Sequence, residues 1–404
     1  MTKQSYTKRV FPALLLLLSL FLSPRGFSFP NVCLKSFKKL SASELRHLTP
    51  EFEKRHSPTY SLEIKNTPIS DQCNYGSCWV HARLAHIEET IKSKTGKDLK
   101  LNRHYLIAQS LLDRIDDALE SPNSPIFQGG NANYADELVS RYGLVPENAT
   151  SWKPRINFEK NPHGSRLTYY LNARAAKFHE DAKDLMPESK AYLDLQDQAR
   201  KDMRDILRTY TGTLPRKFDY QGKSYTPKQF AKEHAKDYTP RPLWVYPEVE
   251  ELTGNLRRES SLAGPSPLPN QVRSSRESLE KIEKRIVQSL KNGQSVNLSY
   301  ENNLNFIDRD TGIMTLDGFN TPAGFAPPKK LYRDSFLSGA GYHAVDIVGA
   351  DLDPDGRVIK FKIKNSWGTQ AGDEGFYHMY RDYFENFVTS IYLSDSDLSR
   401  PVAP

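Results

Sequence analysis

The chain has 404 residues, with 56 Lys and Arg against 49 Asp and Glu, which gives a formal net charge of +7 at pH 7. This length is ample for a sizeable core, and no basic stripe interleaved with aromatic residues indicates nucleic-acid binding. Only three cysteines are present, and no Cys or His pair has the spacing of metal ligands, so the sequence gives no support to a metal site.

Residues 1–28 are typical of a secretory signal peptide. Three basic residues precede an apolar run at 10–22 that is too short for a comfortable membrane span. We expect cleavage after Ser28 and a secreted or periplasmic protein without stable membrane contact; a retained anchor is the alternative. Cleavage removes four basic residues and no acidic ones, so the net charge falls from +7 to +3.

An N-terminal arm follows at 29–60, with a capping-box pattern at Ser41-x-x-Glu44. The arm contains Cys33, and Cys73 lies shortly after it. In an oxidising compartment these two cysteines are an even pair that could form a disulfide bond. Two unpaired thiols are the alternative, and the sequence does not decide between them.

The stretch from Gln72 to Trp79 leads directly into a helical pattern. Apolar residues recur at helical spacing and predict a helix that begins at Cys78: Val80, Leu84, Ile87 and Ile91. Gly76 permits a sharp turn into this helix. Because the first N–H groups of a helix carry partial positive charge, they favour the nucleophilic thiolate form of Cys78. Gln72 lies just upstream, where its amide is placed to donate a hydrogen bond to an oxyanion.

Several elements are predicted between this helix and the C-terminal strands. Amphipathic helices are predicted at 101–119 and 135–142, and the region from about 155 to 238 is predicted to be mainly helical. Within it, Thr226-Pro227-Lys228-Gln229 is a capping box with Pro at the first helical position. A Ser/Pro-rich loop is predicted at about 257–276. A helix opened by Ser274-x-x-Glu277 and a strand through Val296, Leu298 and Tyr300 follow.

Two strand-like runs near the C-terminus supply candidate partners for the thiol. The first begins near His343, and the second, at 358–364, ends just before Asn365. A turn at 353–356 separates them, so we predict a hairpin that brings His343 and Asn365 together with Trp367 packed over them. A thiol, an imidazole and an amide so arranged are a nucleophile, its base and the group that orients the base. Other nearby histidines are predicted to be structural: His81, His86 and His378.

In four places the sequence resembles the papain-like cysteine peptidases. The matching segments, in the family's order, are Gln72, Gly76-Ser77-Cys78-Trp79, His343-Ala344-Val345 and Asn365-Ser366-Trp367-Gly368. The last segment and the residues after it are most similar to the bleomycin hydrolase and aminopeptidase C branch. The similarity spans roughly residues 60–395, with about 240–275 unmatched. His343 follows Cys78 by far more than the roughly 130–150 residues of papain, which fits the large insertions of that branch.

The resemblance implies an α+β fold of two lobes. The helical lobe begins with the Cys78 helix, the antiparallel β lobe holds His343 and Asn365, and the cleft lies between them. The peptidase domain would span 61–400, with 155–238 as an inserted helical subdomain. In papain relatives a glycine pair at the place of Gly129 and Gly130 lines the cleft, where the substrate backbone approaches closely.

The function implied is hydrolysis of peptide bonds, in peptide or protein substrates, through a thioester and without a cofactor. Cys78 and His343 would pair as thiolate and imidazolium, Asn365 would orient His343, Gln72 would hold the oxyanion and Trp367 would shield the site. The branch uses a C-terminal tail to restrict the enzyme to free amino termini, and only Ser394–Pro404 follow the last predicted strand, at 389–393. Aminopeptidase and endopeptidase activity therefore both stay open.

Two further readings use the same residues. A catalytically inactive peptide-binding or scaffolding protein would keep the cleft without the chemistry, and an acyl transferase would pass the acyl group to an amine instead of water. The substrate, the side-chain preference and the oligomeric state stay open as well, although hexamers occur in the resembling branch.

Overall fold

The computed structural model describes residues 47–149, 152–236, 243–248, 273–320 and 341–393. The predicted signal peptide, the arm up to residue 46 with Cys33, and the tail Ser394–Pro404 lie outside the described residues. The Ser/Pro-rich loop does so as well, up to residue 272. No helix in the described part is both long and apolar enough to cross a membrane.

Helices dominate the first half of the described chain. The elements are α1 (Pro50–Arg55), β1 (Leu62–Glu63), α2 (Cys78–Thr95), α3 (Arg103–Glu120), α4 (Ala132–Tyr142), α5 (His163–Ala182), α6 (Lys190–Thr211), β2 (Phe218–Tyr220), β3 (Lys223–Tyr225) and α7 (Pro227–His234). The predicted helices at Cys78, 101–119 and 135–142 are confirmed, and so is the capping box of Thr226 and Gln229. The hairpin of β2 and β3 was not predicted, because three-residue strands offer too little alternation to be recognised.

Strands dominate the second half. The elements are β4 (Leu243–Pro247), β5 (Arg273–Glu277), α8 (Leu279–Lys291), β6 (Val296–Glu301), a short 3-10 helix (Leu304–Phe306), β7 (Ile313–Met314), β8 (Tyr342–Leu352), β9 (Val358–Lys364), β10 (Phe376–Tyr380), α9 (Arg381–Phe387) and β11 (Val388–Leu393). The predicted strand through Val296 and the hairpin of β8 and β9 are confirmed.

The predicted start of α8 was wrong. Ser274 and Glu277 belong to β5, which pairs with β4 in parallel, and the helix begins only at Leu279. Its N-cap is Ser278, whose hydroxyl accepts a hydrogen bond from the Lys281 N–H (3.4 Å). Strand pairing with a distant segment therefore overrides a local capping pattern, which also shortens the predicted loop at 257–276.

Nine of the described strands form one sheet in the order β5-β4-β11-β6-β8-β9-β10-β7, with β1 paired to the end of β8, and β2 and β3 form a separate hairpin. The fold class is α+β as predicted. Most neighbouring strands are antiparallel, but β4 and β5, and likewise β7 and β10, run parallel. β8 lies inside the sheet, carries His343 and packs against α2, which begins with Cys78.

Each lobe has its own hydrophobic core. The helical core collects buried residues from α2 to α7, among them Leu84, Ile115, Phe178 and Phe230. Residues of the region predicted as an insertion thus share one core with the Cys78 helix. The second core fills the β lobe between the sheet, α8 and α9. The two lobes meet where α2 packs against β8, and the first residues of both elements lie at this junction.

Candidate active site at the junction of the two lobes

Cys78 is the first residue of α2, and the turn before it is hydrogen-bonded to the buried carboxylate of Glu159. Ser77 occupies the N-cap position, but its hydroxyl hydrogen-bonds to Glu159 instead of capping the helix. Glu159 is also hydrogen-bonded to His81 Nε2 (2.9 Å) and lies 3.2 Å from His104 Nε2. Sequence reasoning missed Glu159, because it is one acidic residue, without a motif, in a charged region that was predicted to be mainly helical.

The loop before α4 packs against the turn that precedes Cys78, and this close packing requires glycine at position 130. The Gly76 N–H donates to Gln128 Oε1 (2.8 Å), and Trp79 Nε1 donates to the Gln128 carbonyl (3.0 Å). A Cβ on Gly130 would lie 2.6 Å from the Trp79 ring, closer than real contacts allow. Gly129 and Gly130 thus lie beside the Cys78 turn, and packing on Trp79 already accounts for the glycine at position 130.

His343 and Asn365 come together through the hairpin of β8 and β9. His343 Nε2 lies 2.8 Å from Asn365 Oδ1, and the same oxygen accepts the Ser366 N–H (2.8 Å). A backbone N–H can only donate, so Oδ1 must be the amide oxygen and Nε2 must carry the imidazole proton. Nδ1 of His343 is therefore the nitrogen left to accept a proton.

Aromatic rings enclose this imidazole. Trp367 stacks on His343 with ring centroids 4.8 Å apart and planes inclined by 24°, and Tyr300 contacts it edge-on at 5.8 Å. The Arg309 guanidinium in turn lies 5.2 Å from the Trp367 ring centroid. The rings restrict rotation of His343 and keep water from its hydrogen bond with Asn365.

Gln72 is hydrogen-bonded to Ser366, the residue that follows Asn365. Its Oε1 accepts from the Ser366 hydroxyl (2.6 Å), its backbone N–H donates to the Ser366 carbonyl (2.8 Å), and its Nε2 donates to the Tyr75 carbonyl (2.8 Å). Because Nε2 has two hydrogens, one remains for another acceptor. Ser366 therefore links the amide of Gln72 to that of Asn365.

The thiol of Cys78 meets β8 directly. Backbone N–H groups of Ala344, Trp79 and Cys78 itself hydrogen-bond to the sulfur and lower its pKa, but burial has the larger effect and leaves the pKa raised. Burial likewise lowers the pKa of His343 to about 4, although the hydrogen bond with Asn365 opposes it. The net direction for Cys78 is opposite to the prediction from the helix terminus, because desolvation outweighs the N–H groups. Without substrate, these directions favour a neutral thiol and a neutral imidazole.

The remaining predicted residues have structural surroundings. His81 is buried between Ser70 and Glu159, and His86 Nδ1 lies 3.0 Å from the Ser295 hydroxyl. The Cys73 thiol is partly exposed, and its partner in the predicted disulfide, Cys33, lies outside the described residues, so that bridge stays a prediction. No group of three or more potential metal ligands occurs among the residues that the structure describes.

A small pocket lies where α2 and β8 meet. Trp79, the neighbour of Cys78, and Ala344, the neighbour of His343, both line it, together with Trp244 and Tyr392. Its volume is about 10 Å³, roughly the space that one water molecule needs. As it stands, the pocket is too small for a substrate side chain.

Comparison with known proteins agrees with this geometry. Residues 264–403 match the model of the "Peptidase C1-like family". Cysteine proteinase 1, mitochondrial, from Saccharomyces cerevisiae is 23% identical over 380 residues, which cover 85% of this chain and 77% of that protein. Aminopeptidase W from Lactobacillus delbrueckii subsp. lactis is 25% identical over 388 residues, covering 85% of this chain and 84% of the relative.

The fold has a counterpart among solved structures. The crystal structure of PepW from Lactobacillus rhamnosis superposes with a TM-score of 0.72 at 19% identity, over 92% of this chain and 90% of that one. The chain is a cysteine peptidase, and its sequence and fold are similar to those of the C1-like peptidases. The resemblance read from the four motifs is thereby confirmed, and the family match includes the segment that holds His343 and Asn365.

The chemistry of a cysteine peptidase requires three kinds of group. A cysteine peptidase needs a thiol nucleophile, a base and donors for an oxyanion. In this peptidase Cys78, His343 with Asn365, and Gln72 are the described groups that the fold brings to one junction.

Proposed function

We propose that this peptidase cleaves peptide bonds through Cys78, His343 and Asn365 and forms a thioester intermediate. The hydrogen bond of 2.8 Å between His343 Nε2 and Asn365 Oδ1 carries the proposal. It commits one imidazole nitrogen to orientation and leaves Nδ1 to exchange a proton with Cys78. The contact between the Ala344 N–H and the sulfur supports it further, because it brings the thiol next to the backbone that carries the imidazole.

The reaction follows from these groups. As the sulfur attacks the substrate carbonyl carbon, the thiol proton passes to His343 Nδ1, and the carbonyl oxygen becomes an oxyanion. The free Nε2 hydrogen of Gln72 and the Cys78 N–H stabilise that charge. When the C–N bond breaks, the imidazolium protonates the leaving amine and a thioester remains. Water then gives a proton to His343 and attacks the thioester, and the thiol regains the proton as the C–S bond breaks.

We further propose that the substrate is a peptide with a free amino terminus. Support comes from relatives named aminopeptidases W, E and G, which are 24–25% identical to this chain over most of its length. Export stays part of the proposal, supported by the basic start and the apolar run at 10–22. Sequencing the amino terminus of the protein collected from the cell exterior would test it.

The activity is tested by digesting a peptide library with the native protein and with Cys78→Ala and reading the products by mass spectrometry. We expect stepwise removal of amino-terminal residues, none with Cys78→Ala, and none from peptides with blocked amino termini. Internal cleavage of blocked peptides would make the protein an endopeptidase instead. If a thiol-directed covalent inhibitor fails to label Cys78 and no peptide is cut, the protein is a peptide-binding relative without activity.

A further inference from the structure

A tight turn at 308–312 holds Arg309 close to the site. Oδ1 of Asp308 accepts two backbone N–H groups of the turn (3.0 Å each), and the Gly312 N–H donates to the Asp308 carbonyl (2.9 Å). The carbonyl of Arg309 accepts the Gly372 N–H (2.8 Å). The backbone under Arg309 is therefore fixed on both sides, although its side chain is exposed.

The guanidinium of Arg309 lies next to the Trp367 ring that stacks on His343. Its carbon lies 5.2 Å from the Trp367 ring centroid, and that centroid lies 4.8 Å from the His343 ring. The charge is thus within about 10 Å of the imidazole that protonates the leaving amine. An extended peptide spans about 3.4 Å per residue, so this distance corresponds to two or three residues beyond the cleaved bond.

Most donors of this guanidinium remain available to a ligand. Among the described residues, no carboxylate forms an ion pair with Arg309, and Tyr377 is the side chain whose hydroxyl it approaches. The hydroxyl of Tyr377, buried beside Trp367, has no hydrogen-bond partner in the described part of the chain. Arg309 is near enough to pull the pKa of this hydroxyl down, although burial leaves it raised to about 12. The contact uses at most part of the guanidinium, which has five N–H groups, and leaves the others for a ligand.

We infer that Arg309 binds a carboxylate on the leaving part of the substrate, so that this peptidase prefers peptides with a negative charge two or three residues beyond the cleaved bond. The inference rests on the proposed function and adds a substrate class to it. A guanidinium held by stacking on an aromatic ring keeps its planar edge free for two parallel hydrogen bonds to a carboxylate. The nearby carboxylates of Asp308 and Asp310 moderate the attraction without pairing with Arg309.

Three substrates separate the possible sources of the carboxylate. The first is a neutral tripeptide with a free carboxyl terminus, the second is its carboxyl-terminal amide, and the third is the amide with Glu at the last position. We expect kcat/KM to be about five- to tenfold higher for the free acid than for the neutral amide, mainly through KM. If the Glu side chain serves as well, the third substrate recovers the gain. Raising the salt from about 50 mM to about 500 mM should reduce the preference, since the pair is exposed.

The variants are Arg309→Gln, Arg309→Lys and Arg357→Gln. In Arg309→Gln the ratio of kcat/KM for the free acid to kcat/KM for the neutral amide should fall close to one. Arg309→Lys should keep part of the preference, because the charge remains but the planar pair of guanidinium donors is lost. Arg357 is a matched control: it is exposed, and it lies in the turn at the far end of β8 from His343. Arg357→Gln should leave the ratio unchanged.

The outcomes are distinguishable from those of the proposed function. Equal cleavage of acid and amide by the native protein, or an unchanged ratio in Arg309→Gln, would overturn the inference and leave the peptidase mechanism intact. If none of the three substrates is cut at a free amino terminus and Cys78 is not labelled, the proposed function itself is wrong.

Discussion

Lys364 reaches across the junction of the two lobes to Glu89. The ammonium of Lys364 lies 2.5 Å from Glu89 Oε1, and both residues are buried. The same carboxylate accepts the Thr67 N–H (2.9 Å). Glu89 belongs to α2, the helix that begins with Cys78, whereas Lys364 is the residue before Asn365. This buried ion pair therefore connects the helix that begins with Cys78 to the strand that ends just before Asn365.

Removing one partner of this pair should destabilise the protein strongly. Lys364→Met leaves the Glu89 charge buried without its partner, for which we expect a loss of about 3–5 kcal/mol in the free energy of unfolding. The double variant Glu89→Leu with Lys364→Met should recover much of this loss, because no charge then stays uncompensated. Urea unfolding followed by circular dichroism measures both. Equal stability of the single and double variants would contradict the interpretation.

Gln72 should contribute to the rate rather than to binding. Gln72→Ala removes a donor to the developing oxyanion, and we expect kcat to fall about 10²–10³-fold with a small change in KM. The exposed Gln198 on α6 provides a control of the same residue type, and Gln198→Ala should leave kcat unchanged. Steady-state kinetics on a peptide with a free amino terminus decides, and a drop of less than threefold for Gln72→Ala would remove it from the oxyanion site.

Asn365 should act through His343. Asn365→Ala frees the imidazole to rotate and to change tautomer, so we expect kcat/KM to fall by about 100-fold, comparable with a weakened general base. The pH dependence of kcat/KM should change with it, since the hydrogen bond with Asn365 raises the pKa of His343 against the larger lowering by burial. The fold should survive, which circular dichroism checks. An unaltered pH profile would argue that Asn365 is only structural.

His378 should make the protein less stable in acid. Burial, with the charges of His56, Lys360 and Lys362, lowers the pKa of His378 to about 4 in the folded protein, and Asp373 only partly opposes this. The unfolded chain, with a pKa of about 6.5, binds the proton first, so stability is complete above pH 6.5 and is lost as the pH falls toward 4. At pH 5 the loss from this residue is about 2 kcal/mol.

The measurement compares unfolding at pH 8 and pH 5. In His378→Asn the difference in the free energy of unfolding should shrink by about 2 kcal/mol. Asn can still hydrogen-bond to the Tyr60 hydroxyl, which lies 2.6 Å from His378 Nδ1 in the native protein. The exposed His47 is the control, and His47→Asn should keep the native difference. An unchanged difference between pH 8 and pH 5 in His378→Asn would refute the burial of a neutral His378.

Gly130→Ala should be destabilising, because its Cβ would overlap the Trp79 ring. We expect a loss of about 1–3 kcal/mol, as is typical of overpacking, together with lower activity from a displaced Cys78 turn. Gly129→Ala is the matched control, since a Cβ there meets only the Phe127 ring at an ordinary 3.6 Å. Thermal unfolding of the two variants tests this. Equal melting temperatures would show that Trp79 can move aside.

Local pattern predicted a large part of this fold. The helix at Cys78 and the strands β8 and β9 were predicted because their apolar residues recur with the period of one element. The start of α8 was not, since Ser274 and Glu277 carry a capping pattern but pair as a strand with β4. Glu159 and Ser366 were missed as organisers of the site for a related reason: a single polar residue shows its role only through partners that are distant in the sequence.

By itself the sequence predicted which groups would supply the chemistry: a thiol at a helix start, an imidazole on a strand and an amide after the next strand. These choices lie in short segments whose residue types and order carry the information. Only the tertiary structure decided the charge state that the thiol and imidazole prefer, because the pKa of Cys78 depends on desolvation by both lobes and not on its helix alone. It alone also brought Arg309 beside Trp367, since contacts between distant segments arise from packing and not from spacing along the chain.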